Sequence, residues 1–257
     1  MAYGFLKGVA VWQLLNLQSI IIVFGGLLTV LFLGFSWELI AESYRNTINA
    51  IKKPHDQDYE THLLRDILHL ARIYRTHGPF ALEKETPKID HDFLKYGAIL
   101  VAEGYDELAL MSALEREHIT LEKKAHSQVQ LIRTLARLAP ALGMAGTVIS
   151  LMQVMQHLGS QESLGMSMSL ALSSTLYGIV LANLFFLPIS LKLQQYLERE
   201  SMARIMLMDA LMGLQQAEHP LRIAERLNSY ELYCNIKNEE NRGAATVSIA
   251  GKKAVTA

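Results

Sequence analysis

Apolar residues in this chain are gathered into long runs rather than spread evenly. Between Lys7 and Glu38 there are 30 consecutive residues without a formal charge. Between Arg137 and Lys192 lie 54 residues whose only charged side chain is Glu162. A helix needs roughly 20 apolar residues to cross a hydrocarbon core of about 30 Å. The first run fits one span, 14–36. The second fits two, 138–158 and 166–191, split at 159–165 by Gly159, Ser160, Gln161, Glu162, Ser163 and Gly165. The apolar part of the first span is longer than a signal peptide's, and no Ala-x-Ala-like cleavage site follows it. It is read as a retained span.

Elsewhere the pattern takes the period of an amphipathic helix. Leu63, Ile67, Leu70, Ala71 and Tyr74 recur at the three- and four-residue spacing of one buried face. Gly78-Pro79 breaks that helix. A second element runs from Phe93 to Gly104. A third, from Asp106 to about Arg137, is rich in Glu, Lys, Ala and Leu and runs directly into the second span. Beyond the third span a long helix covers 189–217, and a shorter one begins at Pro220, where a missing N–H costs nothing. The chain thus predicts an all-α integral membrane protein with three transmembrane helices. Its expected segments are an N-terminal stretch 1–13, the span 14–36, a cytoplasmic helical domain 37–137, the span 138–158, a periplasmic loop 159–165, the span 166–191, cytoplasmic helices 192–239 and a disordered tail 240–257.

Composition agrees with that layout. Hydrophobic residues make up 51% and charged residues 19%, where a soluble domain carries about a quarter charged, and the mean hydropathy is +0.18. With 24 basic against 25 acidic residues, the chain lacks the basic face that a nucleic-acid binder needs. The single cysteine, Cys234, excludes an internal disulfide or a multi-cysteine metal site. Lys7 stands before the first span, 14 Lys or Arg lie from Arg45 to Arg137, nine lie from Lys192 onward, and 159–165 has none. The positive-inside rule therefore puts the large insert and the C-terminus in the cytoplasm.

The chemistry inside the spans is sparse. An ionisable residue at depth is the usual mark of an ion path, and these spans hold no Asp, Glu, Lys or Arg at depth; His157 sits at the outer end of one. A proton or sodium path therefore needs a carboxylate brought by another chain. The spans do carry small and hydroxylated residues: Gly143, Gly146, Thr147 and Ser150 in the second, and Ser167, Ser169, Ser173, Ser174, Thr175 and Gly178 in the third. Ala171, Thr175, Gly178 and Ala182 form one helical stripe. Such a face serves close helix packing, or lends hydroxyls to an ion beside a partner's carboxylate. Pro140 opens the second span. Pro188 lies where the helical pattern continues on both sides, so a kink or hinge is expected there.

Several of these segments resemble the flagellar stator subunits MotA and PomA. Ala139-Pro140-Ala141-Leu142-Gly143-Met144-Ala145-Gly146-Thr147 is similar to their third span. Ser174-Thr175-Leu176-Tyr177-Gly178-Ile179-Val180-Leu181-Ala182-Asn183, followed by Phe186-Leu187-Pro188-Ile189-Ser190-Leu191-Lys192-Leu193, resembles their fourth, and Phe24-Gly25-Gly26 their second. Leu70-Ala71-Arg72 and Gly78-Pro79-Phe80-Ala81-Leu82-Glu83 resemble the segment that touches the rotor. The order is consistent from about residue 4 to about 230. The resemblance implies a ring, typically a pentamer, around a single-span MotB/PomB-like partner that carries the membrane Asp and a peptidoglycan-anchoring domain. Inward flow of H+ or Na+ would then turn the ring against a flagellar rotor switch protein from the inner membrane. It implies an ion path lined by Thr147, Ser174 and Thr175, conformational roles for Pro140 and Pro188, and rotor contacts from Arg75 and Glu83.

Three departures qualify that picture. The family's first span has no counterpart in this sequence, and residues 1–13 look like the linker that would follow it, so either this is a three-span variant or translation starts upstream; three spans is also the layout of TolQ and ExbB, whose motifs match less well. Ser150 stands where a glycine is common. The two threonines match a sodium-type pattern that some proton-type members share. Other readings are a ring that powers gliding or outer-membrane energisation, and a non-conducting scaffold whose small residues only pack helices. No enzyme is expected: there is no nucleophile–base pair, no metal spacing and no phosphate loop, and Gly143-x-x-Gly146 lacks the surroundings of one. No catalytic residue, resident metal or cofactor is called. The nine histidines, His62 and His69 among them, read as surface residues.

Overall fold

The computed structural model of the chain describes residues 16–52, 57–156 and 161–227. The segment 1–13, His157, the first residues of the 159–165 loop, Cys234 and the tail 240–257 lie outside the described residues. Every regular element among the described residues is helical. In chain order they are α1 (Leu17–Gly34), α2 (Trp37–Lys52), α3 (Gln57–His77), α4 (Pro79–Glu85), a 3₁₀ turn (Thr86–Lys88), α5 (Asp92–Ala102), α6 (Glu107–Gln156), α7 (Gln161–Val180), a π-helical turn (Leu181–Phe186) and α8 (Leu187–Gln215). A last helix, α9, covers 220–227. Among the described residues, three stretches are long and apolar enough to cross a membrane, in Leu17–Gly34, in Glu107–Gln156 and in Gly165–Gln215. The all-helical, three-span expectation is met.

The chain forms two compact units. One takes residues 1–54 and 122–198, the other 55–121 and 199–257. The division differs from a simple alternation of spans and insert. Residues 37–54 and 122–137 group with the spans, and the C-terminal helices beyond 198 share a core with the insert. The side-chain contacts give the reason.

In the span unit the buried positions recur every four residues. On α1 they are Ser19, Val23 and Leu27; on α7 and its continuation, Leu170, Ser174 and Ala182 with Gly178 between them. On α6, Leu135 and Ala139 continue into Gly143. Four-residue ridges of this kind let helices interdigitate. Asn16 starts α1, its side-chain oxygen accepting from the Gln18 N–H, which satisfies one orphan donor of the first turn. Extended backbone at Phe35 ends α1, and across this break the Phe32 and Trp37 rings stack with centroids 6.0 Å apart. Asn46 Nδ2 donates to Gln128 Oε1 at 2.9 Å, pairing α2 with α6. The Arg133 guanidinium donates to Gln194 Oε1, pairing α6 with α8. Leu17, Leu33, Met166, Leu172 and Leu184 remain exposed, a distribution stable only in lipid or against other chains.

The insert unit is built as a water-soluble core. Leu63, Ile67 and Leu70 of α3, Leu82 of α4, Leu94 and Ala98 of α5, Leu110 and Leu114 of α6, Leu207 and Leu211 of α8, and Ile223 and Leu227 of α9 form one buried cluster. The predicted α3 stripe faces this core. Gly97 lets α5 close on α8, because a Cβ there would collide with the Leu211 side chain. Both α5 and α8 end in the same way: the N–H three residues past the end reaches back five positions, from Tyr105 to Leu100 and from Glu218 to Gly213. That closure needs a left-handed residue. Gly104 supplies it at α5 (φ 81°), whereas α8 uses Ala217 (φ 53°). Arg226 then fastens α9, 2.7 Å from Glu218 and 3.8 Å from Asp209.

Candidate functional site

The small residues of the second and third spans meet backbone to backbone. A Cβ at Gly143 would stand 2.8 Å from the Ser174 carbonyl oxygen and 3.2 Å from the Thr175 Cα. A Cβ at Gly178 would stand 2.6 Å from the Ala139 carbonyl oxygen and 3.2 Å from the Pro140 Cα. Gly146 faces the Ser174 side chain, where a Cβ would come within 2.6 Å of the serine's own Cβ. The pairings run in opposite order along the two helices, so α6 and α7 are antiparallel. Lipid tails are as apolar as leucine, so such helices associate through close packing and hydrogen bonds rather than hydrophobic drive.

The structure separates the predicted hydroxyls by burial. Ser174 is fully buried, and its Oγ donates toward the Ala171 oxygen at 2.9 Å and the Gly143 oxygen at 3.2 Å. The second contact crosses from α7 to α6, which makes Ser174 a tie inside the seam. Thr147 and Thr175 lie at the edges of the same seam and are partly exposed. Thr147 Oγ1 donates to the Met144 oxygen at 2.6 Å, and Thr175 Oγ1 to the Ala171 oxygen at 3.3 Å. Once its hydrogen is turned back onto its own helix, each threonine presents oxygen lone pairs as acceptors. Ser150 is buried, its Oγ satisfied by the Gly146 oxygen at 2.8 Å. Its hydroxyl thus fits within the helix although glycine is common there in the resembling family.

Neither proline terminates a helix. Pro140 lies inside the 50-residue α6, the continuous helix expected to run into the second span, and packs against Gly178. Pro188 follows the π-helical turn, where the Leu187 N–H donates to the Ala182 oxygen, one residue beyond α-helical reach. A helix-interior proline has no N–H to give and pushes against the carbonyl four residues back. The wider turn gives that carbonyl room. The proline predicts a distortion; its π form was not legible.

Arg75 closes α3, and Glu83 lies on α4 beyond the Gly78-Pro79 corner. Gly78 takes φ 76°, which glycine accepts without strain, and Pro79 occupies the first turn. Both charged side chains are exposed. The described residues show neither in an ion pair.

One titratable group missed by the sequence reading is His91, which was expected at the surface. Its side chain is only 14% exposed. Nδ1 accepts from the Leu94 N–H at 3.3 Å and so caps α5. Nε2 lies 4.0 Å from Glu200. Burial, and then the Arg204 guanidinium, hold its pKa below the ordinary value, with Asp92 opposing. The signal that was available is position: His91 directly precedes a first turn opened by Asp92. Among the described residues no group of three His, Cys, Asp or Glu gathers as a metal site.

Seam and spans together define a helical membrane protein whose second and third spans pack through a small-residue, hydroxyl-edged seam. Residues 85–206 match the MotA/TolQ/ExbB proton channel family. Motility protein A of Treponema pallidum is 30% identical over 229 residues, covering 89% of this chain and 87% of that protein. Among solved structures, the C. jejuni MotAB structure shares the fold with a TM-score of 0.77 at 20% identity, covering 89% of each chain. The flagellar MotAB stator complex from Bacillus subtilis does so with 0.73 at 24% identity, covering 87% of each. The chain belongs to the MotA/TolQ/ExbB proton channel family, as a MotA-type subunit. Its family and its apolar helices place it in the inner membrane.

Proposed function

We propose that the chain is the ring-forming ion-channel subunit of a flagellar stator, converting inward flow of H+ or Na+ into torque. The observation that carries this reading is the α6–α7 seam: two hydroxyl-bearing edges, Thr147 and Thr175, beside a helix pair packed to backbone contact, in spans with no Asp or Glu at depth. A single-span MotB/PomB-like partner supplies the missing Asp, and several copies of the chain, five in the family pattern, enclose it. Ser174 locks the seam, while Thr147 and Thr175 offer oxygens to the ion as it passes the partner's carboxylate. Pro140 and Pro188 let α6 and α8 bend as the ion binds and leaves. The insert and the C-terminal helices face the cytoplasm, where Arg75 and Glu83 meet the rotor switch protein; 159–165 faces the periplasm. H+ or Na+ is the transported species, and the reading calls for no resident cofactor.

The test is complementation of a stator-deleted motile strain by this chain with its partner, with swimming scored as Na+ and pH are varied separately. Restored swimming that fails for the Thr147→Ala, Thr175→Ala double variant, at unchanged protein level, is the expected result. Unaltered swimming by that variant would remove the threonines from the ion path. Failure of the assembled wild-type pair to restore swimming would overturn the stator reading.

A further inference from the structure

We infer that Asn183 offers two oxygens, one from its side chain and one from its main chain, as a second stop for a passing Na+, inward of Thr175. The inference rests on the stator reading and adds a site and an ion to it. Asn183 is the one amide side chain in the span 166–191 and lies nine residues before Lys192, the first charge beyond it. It is exposed on the chain, between the exposed apolar side chains of Leu184 and Phe185. A polar group at that depth is costly against hydrocarbon and is the usual mark of a functional surface.

The backbone is open at the same residue. Leu187 N–H donates to the Ala182 oxygen, where an α-helix would send it to Asn183. The next nitrogen, which would serve Asn183 in the π register, belongs to Pro188 and carries no hydrogen. The Asn183 carbonyl therefore lacks both of the donors that helical geometry could give it. Main-chain oxygens released at membrane depth are tolerated only inside protein or beside water. Broken helices in transporters use such carbonyls to coordinate cations.

The side chain aims its oxygen the same way as the threonine above it. Asn183 Nδ2 donates to the Ile179 oxygen at 3.0 Å, as Thr175 Oγ1 donates to the Ala171 oxygen. Each group turns a hydrogen onto the carbonyl four residues back and leaves its oxygen lone pairs as acceptors. Ala171, Thr175, Ile179 and Asn183 follow one another at i+4 and form one ridge. Along it Asn183 stands about 12 Å from Thr175, toward the cytoplasmic end of the span.

The chemistry of the oxygens selects the ion. An amide and a peptide carbonyl take up no proton near neutral pH, but such oxygens replace water around a metal cation. Being uncharged, they hold it loosely, which suits a step where the ion must leave again. The partner's carboxylate beside Thr147 and Thr175 is then the tight site, and Asn183 receives the ion on its way inward. Hydrogen bonding between helices would also use the amide, but it gives no account of a carbonyl opened at the same residue.

The experiment places the full chain and its partner subunit in a stator-deleted strain. Swimming speed is measured against Na+ at fixed pH and against pH at fixed Na+, and assembly is followed on the purified complex. Losing one oxygen from a cation costs about tenfold in affinity. Asn183→Leu should therefore raise the half-saturating Na+ by about that factor, with assembly unchanged. Asn183→Asp keeps the oxygen and adds charge, so it should lower the half-saturating Na+ and the saturated speed together. A residue that only supports the fold would move the saturated speed and leave half-saturation alone. An assembled Asn183→Leu complex with wild-type half-saturation overturns the site. Loss of assembly in Asn183→Leu would make the amide a tie between helices and overturn it as well. Wild-type swimming that follows pH and ignores Na+ would overturn the site while the stator reading stands. A wild-type pair that never restores swimming removes the stator reading itself.

Discussion

The two units of this chain solve the same packing problem with opposite residues. The insert unit excludes water with leucine and isoleucine side chains, and its close-packed glycines, Gly97 and Gly213, face side chains, those of Leu211 and Arg226. The span unit has no water to exclude. Two of its glycines, Gly143 and Gly178, face main-chain atoms of the opposite helix, while Gly26 and Gly146 face the Leu142 and Ser174 side chains, and a serine hydroxyl bridges the gap at Ser174. In water, burying large apolar side chains drives assembly; in lipid that drive is absent and proximity must supply the contacts. On the proposed stator reading the same distinction assigns functions, because a seam that holds by proximity leaves its polar edges available to an ion.

Substitutions should split along this line. The largest effect belongs to Leu94→Ala, which empties a fully buried site of the insert core; a loss of about 2–5 kcal/mol is expected, read as a fall in thermal stability of the purified chain. Gly178→Ala comes next. Its Cβ would meet the Ala139 carbonyl at 2.6 Å, and overpacking of about 1–3 kcal/mol should appear as lost assembly in detergent. Gly97→Ala is the control. Its clash is with the Leu211 side chain, so Leu211→Ala in the same chain should relieve it, whereas no side-chain change relieves Gly178→Ala. A rescue of Gly178→Ala by side-chain trimming would break the comparison.

A smaller gain is expected at the end of α8. Ala217 occupies a left-handed position that Gly104 fills at the end of α5, and Ala217→Gly should stabilise by about 1 kcal/mol, seen as a higher melting temperature. The smallest effect concerns pH. His91 has its pKa held below the ordinary 6.5, so the unfolded chain takes up the proton first as pH falls. The stability this group contributes is present above pH 6.5 and is lost as pH drops through the lower folded value. His91→Asn keeps a cap acceptor and removes the titration. Its amide exchange in α5 should therefore vary less between pH 7 and pH 5 than that of the wild type; an identical pH profile would remove His91 from this role.

The sequence carried some of this plainly. Charge-free runs marked the spans, and the Leu63–Tyr74 period marked a buried face, because both are one-dimensional patterns. The unit boundary was not legible, since Asn46 and Gln128 stand 82 positions apart and nothing local announces their bond. The hydroxyls were visible as a set but not sorted. Ser174 and Thr175 are neighbours in sequence, yet about 100° of helical rotation puts one inside the seam and the other at its edge. Pro188 announced a distortion whose form depends on which carbonyl Leu187 reaches. His91 looked like any polar loop residue, because its burial comes from α8, more than a hundred residues later.

The central claim is that this chain's seam works only beside a carboxylate carried by another chain. Co-expression with its single-span partner, purification, and particle imaging at side-chain detail tests it most directly. The account predicts a ring of this chain around partner helices, with the partner's Asp beside Thr147 and Thr175. A ring with an empty or lipid-filled centre, or an assembled pair whose Asp lies away from those threonines, would contradict it.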